Sequence, residues 1–535
     1  MEEGYAMVLR GSVCSGRRGI SLLLAGLLPL FLFPMASAQE IQWIRQFGTA
    51  LWDSGFGVSV DGAGNVYVVG ETQGALPGQK GVWWLDAFVR KYDSDGNERW
   101  IRLFGSEWDD YAYGVSVDSM GNVYVVGATD GDAFLHKYDG NGNEIWTRQF
   151  GTGIAYGVSV DGAGNVYMVG YTGGTLPGQE GAGWYNSDAF VRKYNSDGEE
   201  IWTRRFGTER NDSARGVSVD SVGNVYVVGE TGGTFPEQEK TGRWGTDAFV
   251  RKYDSNGNEV WTRQFGSEYE DSARRVSVDK TGNVYVVGYT CGTLPRQEGV
   301  GVYDAFLRKY DGSGKEIWTR QFGTEWSDSA WDVSVDKTGN VYVVGDTSGI
   351  LPGQGRARWR VTPKDFFLRK YDSNGKEIWT RQFGTGWDDY AYGVSVDGAG
   401  NVYVVGRTEG TFPGQEGVGW DAFIVKFGPG PHPRIEDIVV LCAPHPVGKE
   451  GCVLFLRIPE DAIYATLNIY SVNGALILSI PIDPSKGRYP ITGRWVPKDS
   501  NGKPLSTGTY LYLVEVRHSD GRVTHSKVQK MAIKR

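Results

Sequence analysis

Glu377-Ile378-Trp379-Thr380-Arg381-Gln382-Phe383-Gly384 is the stretch from which the fold follows. Its pattern of Trp, Arg, Phe and Gly occurs seven times in all, the other copies being at Trp43, Trp100, Trp146, Trp202, Trp261 and Trp318. With a period of two, Trp379, Arg381 and Phe383 share one face of a strand and Ile378, Thr380 and Gln382 the other, so both faces carry bulk that needs covering. The copies lie 57, 46, 56, 59, 57 and 61 residues apart, the span of a propeller blade rather than of one solenoid coil.

Three further elements return between the Trp strands. Gly57-Val58-Ser59-Val60-Asp61 recurs from Gly114, Gly157, Gly216, Arg275, Asp332 and Gly393, and Asn65-Val66-Tyr67-Val68-Val69-Gly70 recurs from Asn122, Asn165, Asn224, Asn283, Asn340 and Asn401. The turn between them, such as Asp61-Gly62-Ala63-Gly64-Asn65, is short and tolerant of positive φ, so the two pair as a hairpin. The third element opens at Asp86-Ala87-Phe88 and returns at Asp132, Asp188, Asp247, Asp304, Asp365 and Asp421.

Four antiparallel strands per unit bury two apolar faces only if units stack face to face, and a ring gives every unit two neighbours. The chain is therefore expected to be all-β: a seven-bladed propeller of four-stranded blades over residues 39–428, a Pro/Gly linker at 429–434, and a small immunoglobulin-like β-sandwich over 435–535. The first Trp strand, Ile41 to Phe47, precedes any inner strand, and the last unit stops at Phe427 without a Trp strand of its own. The N-terminal strand is thus expected to pair with Asp421–Phe427 and close the ring, removing an open edge.

With its Gly-Asn-Val-Tyr-Val-x-Gly core and following Asp-Ala-Phe strand, this wording resembles the bacterial seven-bladed propeller repeat family over roughly residues 41–427. The resemblance implies a fold and little chemistry. The last hundred or so residues resemble the C-terminal immunoglobulin-like modules of bacterial surface and flagellar-hook-cap proteins, including type IX sorting domains. That resemblance is carried by Ile469-Tyr470-Ser471-Val472-Asn473-Gly474, by Gly508-Thr509-Tyr510-Leu511-Tyr512 and by the basic ending around Lys527 and Lys530. It implies sorting or surface attachment. Arg494-Trp495-Val496-Pro497 stands where the family shows Trp-Asp-Gly, and His445 where it shows Asn.

Arg10, Arg17 and Arg18 precede an apolar run from Ile20 to Phe33, and Ala36-Ser37-Ala38 follows as a small-x-small site, so residues 1–38 are expected to be an export signal. The run is too short and too interrupted by Pro29 for a retained membrane span. Localisation is then secreted or cell-surface. Residues 39–434 carry a net charge of -14 and residues 435–535 one of +4, and an acidic main domain argues against a nucleic-acid footprint. Cys442 and Cys452 are candidates for a disulfide, which would leave Cys291 alone. Five scattered His residues lack ligand spacing, so neither a metal nor a cofactor is expected.

Candidate acid pairs such as Asp109 and Asp110, or Asp388 and Asp389, recur in their second member as Asp53, Asp212, Asp271 and Asp328, the behaviour of scaffold residues. Function is better sought where the units differ. Just before the inner-strand Gly position stand Phe56, Tyr113, Tyr156, Arg215, Arg274, Trp331 and Tyr392, a candidate ligand-binding ring at the mouth of the central channel. Aromatics with arginines suit a sugar or a peptide; equally, the rings can plug the channel by stacking on one another. The long connections carrying Leu76-Pro77-Gly78-Gln79 and its variants at Pro177, Pro236, Pro295, Pro352 and Pro413, followed by Trp84, Trp184, Trp244, Trp359 and Trp420, are expected on the same face. Two shortenings, at Ala128-Thr129-Asp130-Gly131 and between Phe150 and Gly157, predict a notch between the second and third blades. Arg275 and Asp332, departures from Gly in adjacent blades, are expected to form a salt bridge. These features together point to a binding protein that presents a propeller face to a glycan or protein, with its C-terminal domain serving secretion or surface-attachment machinery. The alternative is a propeller hydrolase or lyase acting on extracellular polysaccharide.

Overall fold

The computed structural model describes residues 41–429, apart from 75, 77–83, 175–185, 243–244, 355–362 and 418, together with the strands and short stretches between 439 and 533. Contacts divide the chain into Met1–Ala36 and Ser37–Arg535. Residues 1–40, with the expected export signal, lie outside the described residues, as do Trp184, Trp244, Trp359 and most of the linker. The described residues form strands and turns, and among them no helix is long and apolar enough to cross a membrane.

The first blade is the sheet β2 (Asp53–Val60), β3 (Val66–Gln73), β4 (Leu85–Tyr92), β5 (Glu98–Phe104), in that order. Sheets of the same order begin at Asp212, Asp271 and Asp328. The last blade is completed as expected by β1 (Ile41–Phe47), which runs antiparallel to Asp421–Phe427 with Phe47 opposite Ala422 and Ile44 opposite Val425. In the second and third blades a single strand, Glu144–Val160, is both the outer strand of one and the inner strand of the next, giving a seven-stranded sheet. The spacing between Phe150 and Gly157 leaves no slack for a loop, so the chain runs straight through.

Blades adhere by burying both faces. One core cluster joins Val58, Val68 and Phe88 of the first blade to Tyr403, Val405 and Ile424 of the last. The Trp strand contributes differently: its Trp and Arg cap the outer hairpin of the following blade. Trp261 Nε1 donates to Gly312 O at 3.2 Å and Arg263 Nε to Gly314 O at 2.9 Å, with the guanidinium 5.4 Å from the centroid of its own Trp ring. Gly314 has φ +81° and its Cα faces the Trp261 ring, so this turn position requires glycine on two counts. The same bonds run from Trp43 and Arg45 to Ser94 and Gly96, so the joined ends of the ring are stitched like any other blade.

In the C-terminal region the strands order as Leu476–Ile482, Ala462–Ser471, Gly508–His518, Gln529–Ile533, Val439–Gly448, Gly451–Arg457 and Arg488–Pro490, with Val523–His525 beside Gly508–His518. Val439–Gly448 joins the two halves, pairing antiparallel with Gly451–Arg457 and parallel with the final strand at Val447 and Ile533. The Cys442 and Cys452 side chains lie outside the described residues.

Candidate functional site

All seven residues of the expected mouth ring occupy one kind of backbone position. In the first blade Gly55 pairs with Gly70 and Gly57 with Val69, leaving Phe56 unpaired as a β-bulge. The same skip passes over Tyr113, Tyr156, Arg215, Arg274, Trp331 and Tyr392. A bulged residue is released from the ladder and its side chain re-aimed, here toward the axis. The glycine inside each second strand, fifth in Val-Tyr-Val-Val-Gly or, in the third blade, Val-Tyr-Met-Val-Gly, makes this possible: a Cβ on Gly70 would fall on the Ser54 carbonyl oxygen, and one on Gly288 on that of Ser272. Gly288→Ala is therefore expected to cost about 3 kcal/mol, read as a lowered midpoint of thermal unfolding, because the bulge must flatten or the strand move.

The seven side chains line one cavity of about 240 Å³, joined there by Arg275. They also touch in sequence around the ring: Phe56–Tyr113 at 5.4 Å between centroids, Tyr113–Tyr156 at 5.2 Å, Phe56–Tyr392 at 5.6 Å and Trp331–Tyr392 at 5.8 Å. Arg215 lies 4.3 Å from the Tyr156 centroid and Arg274 5.1 Å from that of Trp331. Ring stacking and an open cavity thus coexist. Burial raises the Tyr113 and Tyr392 phenols, so both stay neutral over the physiological range.

Charge at the mouth is internally matched. Arg215 Nε donates to Glu230 at 3.0 Å, and Ser272 Oγ donates to the other Glu230 oxygen. Burial opposes the ionisation of Glu230, but Arg215 and Arg274 outweigh it and lower its pKa. Lys364 Nζ donates to Asp346 at 2.8 Å, and Trp331 Nε1 donates to the same carboxylate. The expected Arg275–Asp332 salt bridge does not form. Inner-strand backbones approach so closely around the axis that each side chain bonds a peptide group of a neighbouring blade and one of its own instead: Arg275 Nη1 donates to Arg215 O across the junction and to Arg274 O, while Asp332 accepts from Val394 N across the junction and from Val333 N, both at 2.8 Å. Burial still raises Asp332 to about 6, with the field of Arg275 opposing.

A second cavity, of about 340 Å³, opens beside the first and shares Tyr156 and Arg215 with it. It lies between the third and fourth blades, bounded by Tyr171 and Ser187 on one side and Ser213 and Glu230 on the other. At the junction before it, where the notch was expected, the shortening between Phe150 and Gly157 is spanned by the continuous strand Glu144–Val160. Further out on this face stand exposed aromatics at equivalent places in four inter-blade connections: Trp108, Tyr269, Trp326 and Trp387. Trp52 stacks on Trp420 at 5.8 Å, and Trp84 lies 5.8 Å from Trp108, so the described loop tryptophans pair across connections rather than pinning their own loops.

The other repeated polar residues are consumed by the scaffold. Asp53 accepts from Thr49 N at 2.7 Å and from the Thr72 hydroxyl, and Asp389 accepts likewise from Thr385 and Thr408. These are the second members of the candidate acid pairs. Asp93 accepts from the amides of Asp95 and Asn97 within its own turn. Among the described residues no group of three or more His, Cys, Asp or Glu side chains is placed to hold a metal. One device escapes sequence reading altogether. The Gln of the Pro-containing connections fastens to the Gln of the Trp strand: Gln321 N is bonded by Gln297 Oε1 at 3.1 Å, and Leu294 N donates to Gln321 Oε1 at 2.8 Å, which buries Leu294.

Among proteins of known sequence, this chain is similar to the regulatory protein FlaEY of Caulobacter vibrioides, with 32% identity over 191 residues, 33% of this chain and 20% of the relative. It is also similar to an uncharacterized WD repeat-containing protein, L264, of Acanthamoeba polyphaga mimivirus, with 27% identity over 108 residues, 18% of this chain and 8% of the relative. The chain thus spans at most a fifth of the length of these curated relatives. Similar solved structures include the Dos1 propeller (TM-score 0.39, 11% identity, 65% of this chain and 74% of that one) and YCF48 bound to D1 peptide (TM-score 0.40, 10% identity, 74% and 98%). The model of the SBBP beta-propeller repeat matches residues 42–77, 99–134, 145–177, 201–236, 260–294, 317–352 and 378–413, one match to each outer strand and the inner hairpin that follows it. With those seven repeat matches, one to each of seven four-stranded blades, residues 41–427 form a β-propeller.

Proposed function

We propose that this chain is an exported binding protein that presents its channel-mouth face to a glycan or protein ligand, with the C-terminal strands forming an immunoglobulin-like domain for sorting or attachment. One observation carries the reading. The seven bulged side chains, which differ from blade to blade, share one face with the exposed aromatics around them, while the repeated residues are spent on holding the blades together. Exposed aromatic clusters of this kind mark interaction surfaces.

A second reading, a hydrolase or lyase acting on polysaccharide, draws on Glu71, a buried carboxyl at the mouth that burial raises to about 7. The two separate in one experiment: a glycan array and an extracellular-protein capture with the full chain, followed by chromatography of any captured polysaccharide after incubation. The binding reading expects capture with the polymer left intact. Shortened products that vanish in Glu71→Gln support the enzyme.

A further inference from the structure

We propose that the cavity between the third and fourth blades is a subsite for an uncharged sugar ring, a proposal that rests on the mouth face being the binding surface. Its basic group is already paired. Arg215 and Glu230 form an ion pair and Glu230 is further bonded by Ser272, while Asp212 Oδ2 accepts from Thr208 N at 2.6 Å and Thr208 Oγ1 at 2.9 Å. A charged ligand held by Arg215 or by Glu230 would have to displace the other, leaving a buried charge uncompensated.

What the cavity offers a ligand is neutral and hydrogen-bonding. Ser187, Asn211, Ser213 and Thr246 line it together with Tyr156 and Tyr171, whose ring centroids lie 5.9 Å apart. Ser213 is the clearest pointer. It is 7% exposed, and its hydroxyl is a buried group with no protein partner. One blade on, the equivalent Ser272 donates to Glu230; one blade back from Glu230 the equivalent residue is Tyr171, so Ser213 has no carboxylate to bond. A buried hydroxyl without a partner costs free energy unless a ligand supplies one. Flat apolar rings beside several neutral donors and acceptors match the C–H faces and hydroxyls of a pyranose. The volume of about 340 Å³ sits at the lower end of small-molecule sites and admits a single ring at a chain end or a free monosaccharide.

The test uses the full chain with a panel of glucose, galactose, mannose and N-acetylglucosamine, each free and as its short oligomer, with galacturonate and inorganic phosphate as charged controls. Binding is measured by titration calorimetry up to about 10 mM. At least one neutral sugar is expected to bind, with the charged controls at least tenfold weaker, and Ser213→Ala and Tyr171→Ala are expected each to weaken it about tenfold or more at unchanged thermal midpoint. Comparison of free sugar with oligomer tells which source the subsite takes. No binding by any neutral sugar, tighter binding of galacturonate or phosphate, or full affinity in both variants overturns the proposal. Trp387→Ala, outside the cavity, separates the two levels: it lowers capture of a macromolecular ligand if the mouth face is the binding surface, whatever the cavity does.

Discussion

A chain lacking Ile41–Phe47 is expected not to hold a folded propeller at 25 °C. The strand supplies the whole outer edge of the last blade. Trp43 and Phe47 pack against the core cluster that spans the seam, with Phe47 at 5.7 Å from Phe88 in an edge-on contact. Gln46 bonds Gly410 O and Asp421 and receives Phe412 N at 2.9 Å; Trp43 and Arg45 cap the first outer hairpin. At about 1–2 kcal/mol for each half-buried apolar side chain and about 1 kcal/mol for each hydrogen bond, removal costs as much as the net stability of an ordinary domain. It also bares the edge of Asp421–Phe427, a template for association. Circular dichroism melting and light scattering are the measurements. A truncated chain that melts within about 5 °C of the full one, monomeric, would show that the ring does not depend on this closure.

Stability is expected to rise as the pH falls from 8 to about 5, against the common tendency. Burial raises Asp53, Asp212, Asp271 and Asp328 to about 6 and Asp389 to about 7, all well above the value of 3.8 in the unfolded chain. Each is more readily protonated folded than unfolded. Its contribution is therefore complete below the unfolded value and is lost as pH rises through 6 to 7. Glu71 at about 7 and Asp332 at about 6 act in the same direction. Even a fraction of the full linkage from each gives roughly 5 kcal/mol together, or a midpoint higher by about 5 °C at pH 5 than at pH 8. Turn aspartates oppose this at lower pH. Hydrogen bonds from Asn143 and Asn258 lower Asp139 and Asp254, so their stabilisation is lost as pH falls below the ordinary carboxylate range. The midpoint should thus peak near pH 4 to 5, on the order of the unfolded carboxylate values. Calorimetry across pH 3 to 9 decides it, and a midpoint that climbs steadily from pH 5 to 8 contradicts the burial of these carboxyls.

The ring closure was legible because it is a count: a strand too many at one end and one too few at the other. The mouth residues were legible as the position where otherwise repeated blades differ. That they are bulges was not, because register belongs to strand pairs. Yet the glycine inside each second strand was the available signal, since a glycine inside a strand often marks a bulge opposite. The Arg275–Asp332 expectation failed because opposite charge in adjacent blades says nothing of the backbone carbonyls and amides that compete at close approach. The shortened connection between Phe150 and Gly157 was read as a gap, whereas the chain spans it by extending a strand. The Gln297–Gln321 pin was invisible because its partners lie on different elements and neither is unusual alone.

The most direct measurement compares faces. Tyr113→Ala, Trp108→Ala and Trp387→Ala on the channel-mouth face, and Asn256→Ala in an opposite turn, are assayed for affinity to whatever ligand the array or capture identifies. The mouth-face variants are expected to weaken binding about tenfold each, with thermal midpoints close to that of the unmodified chain, while Asn256→Ala binds as the unmodified chain does. Equal affinity in all four variants would contradict the assignment of the mouth as the binding face.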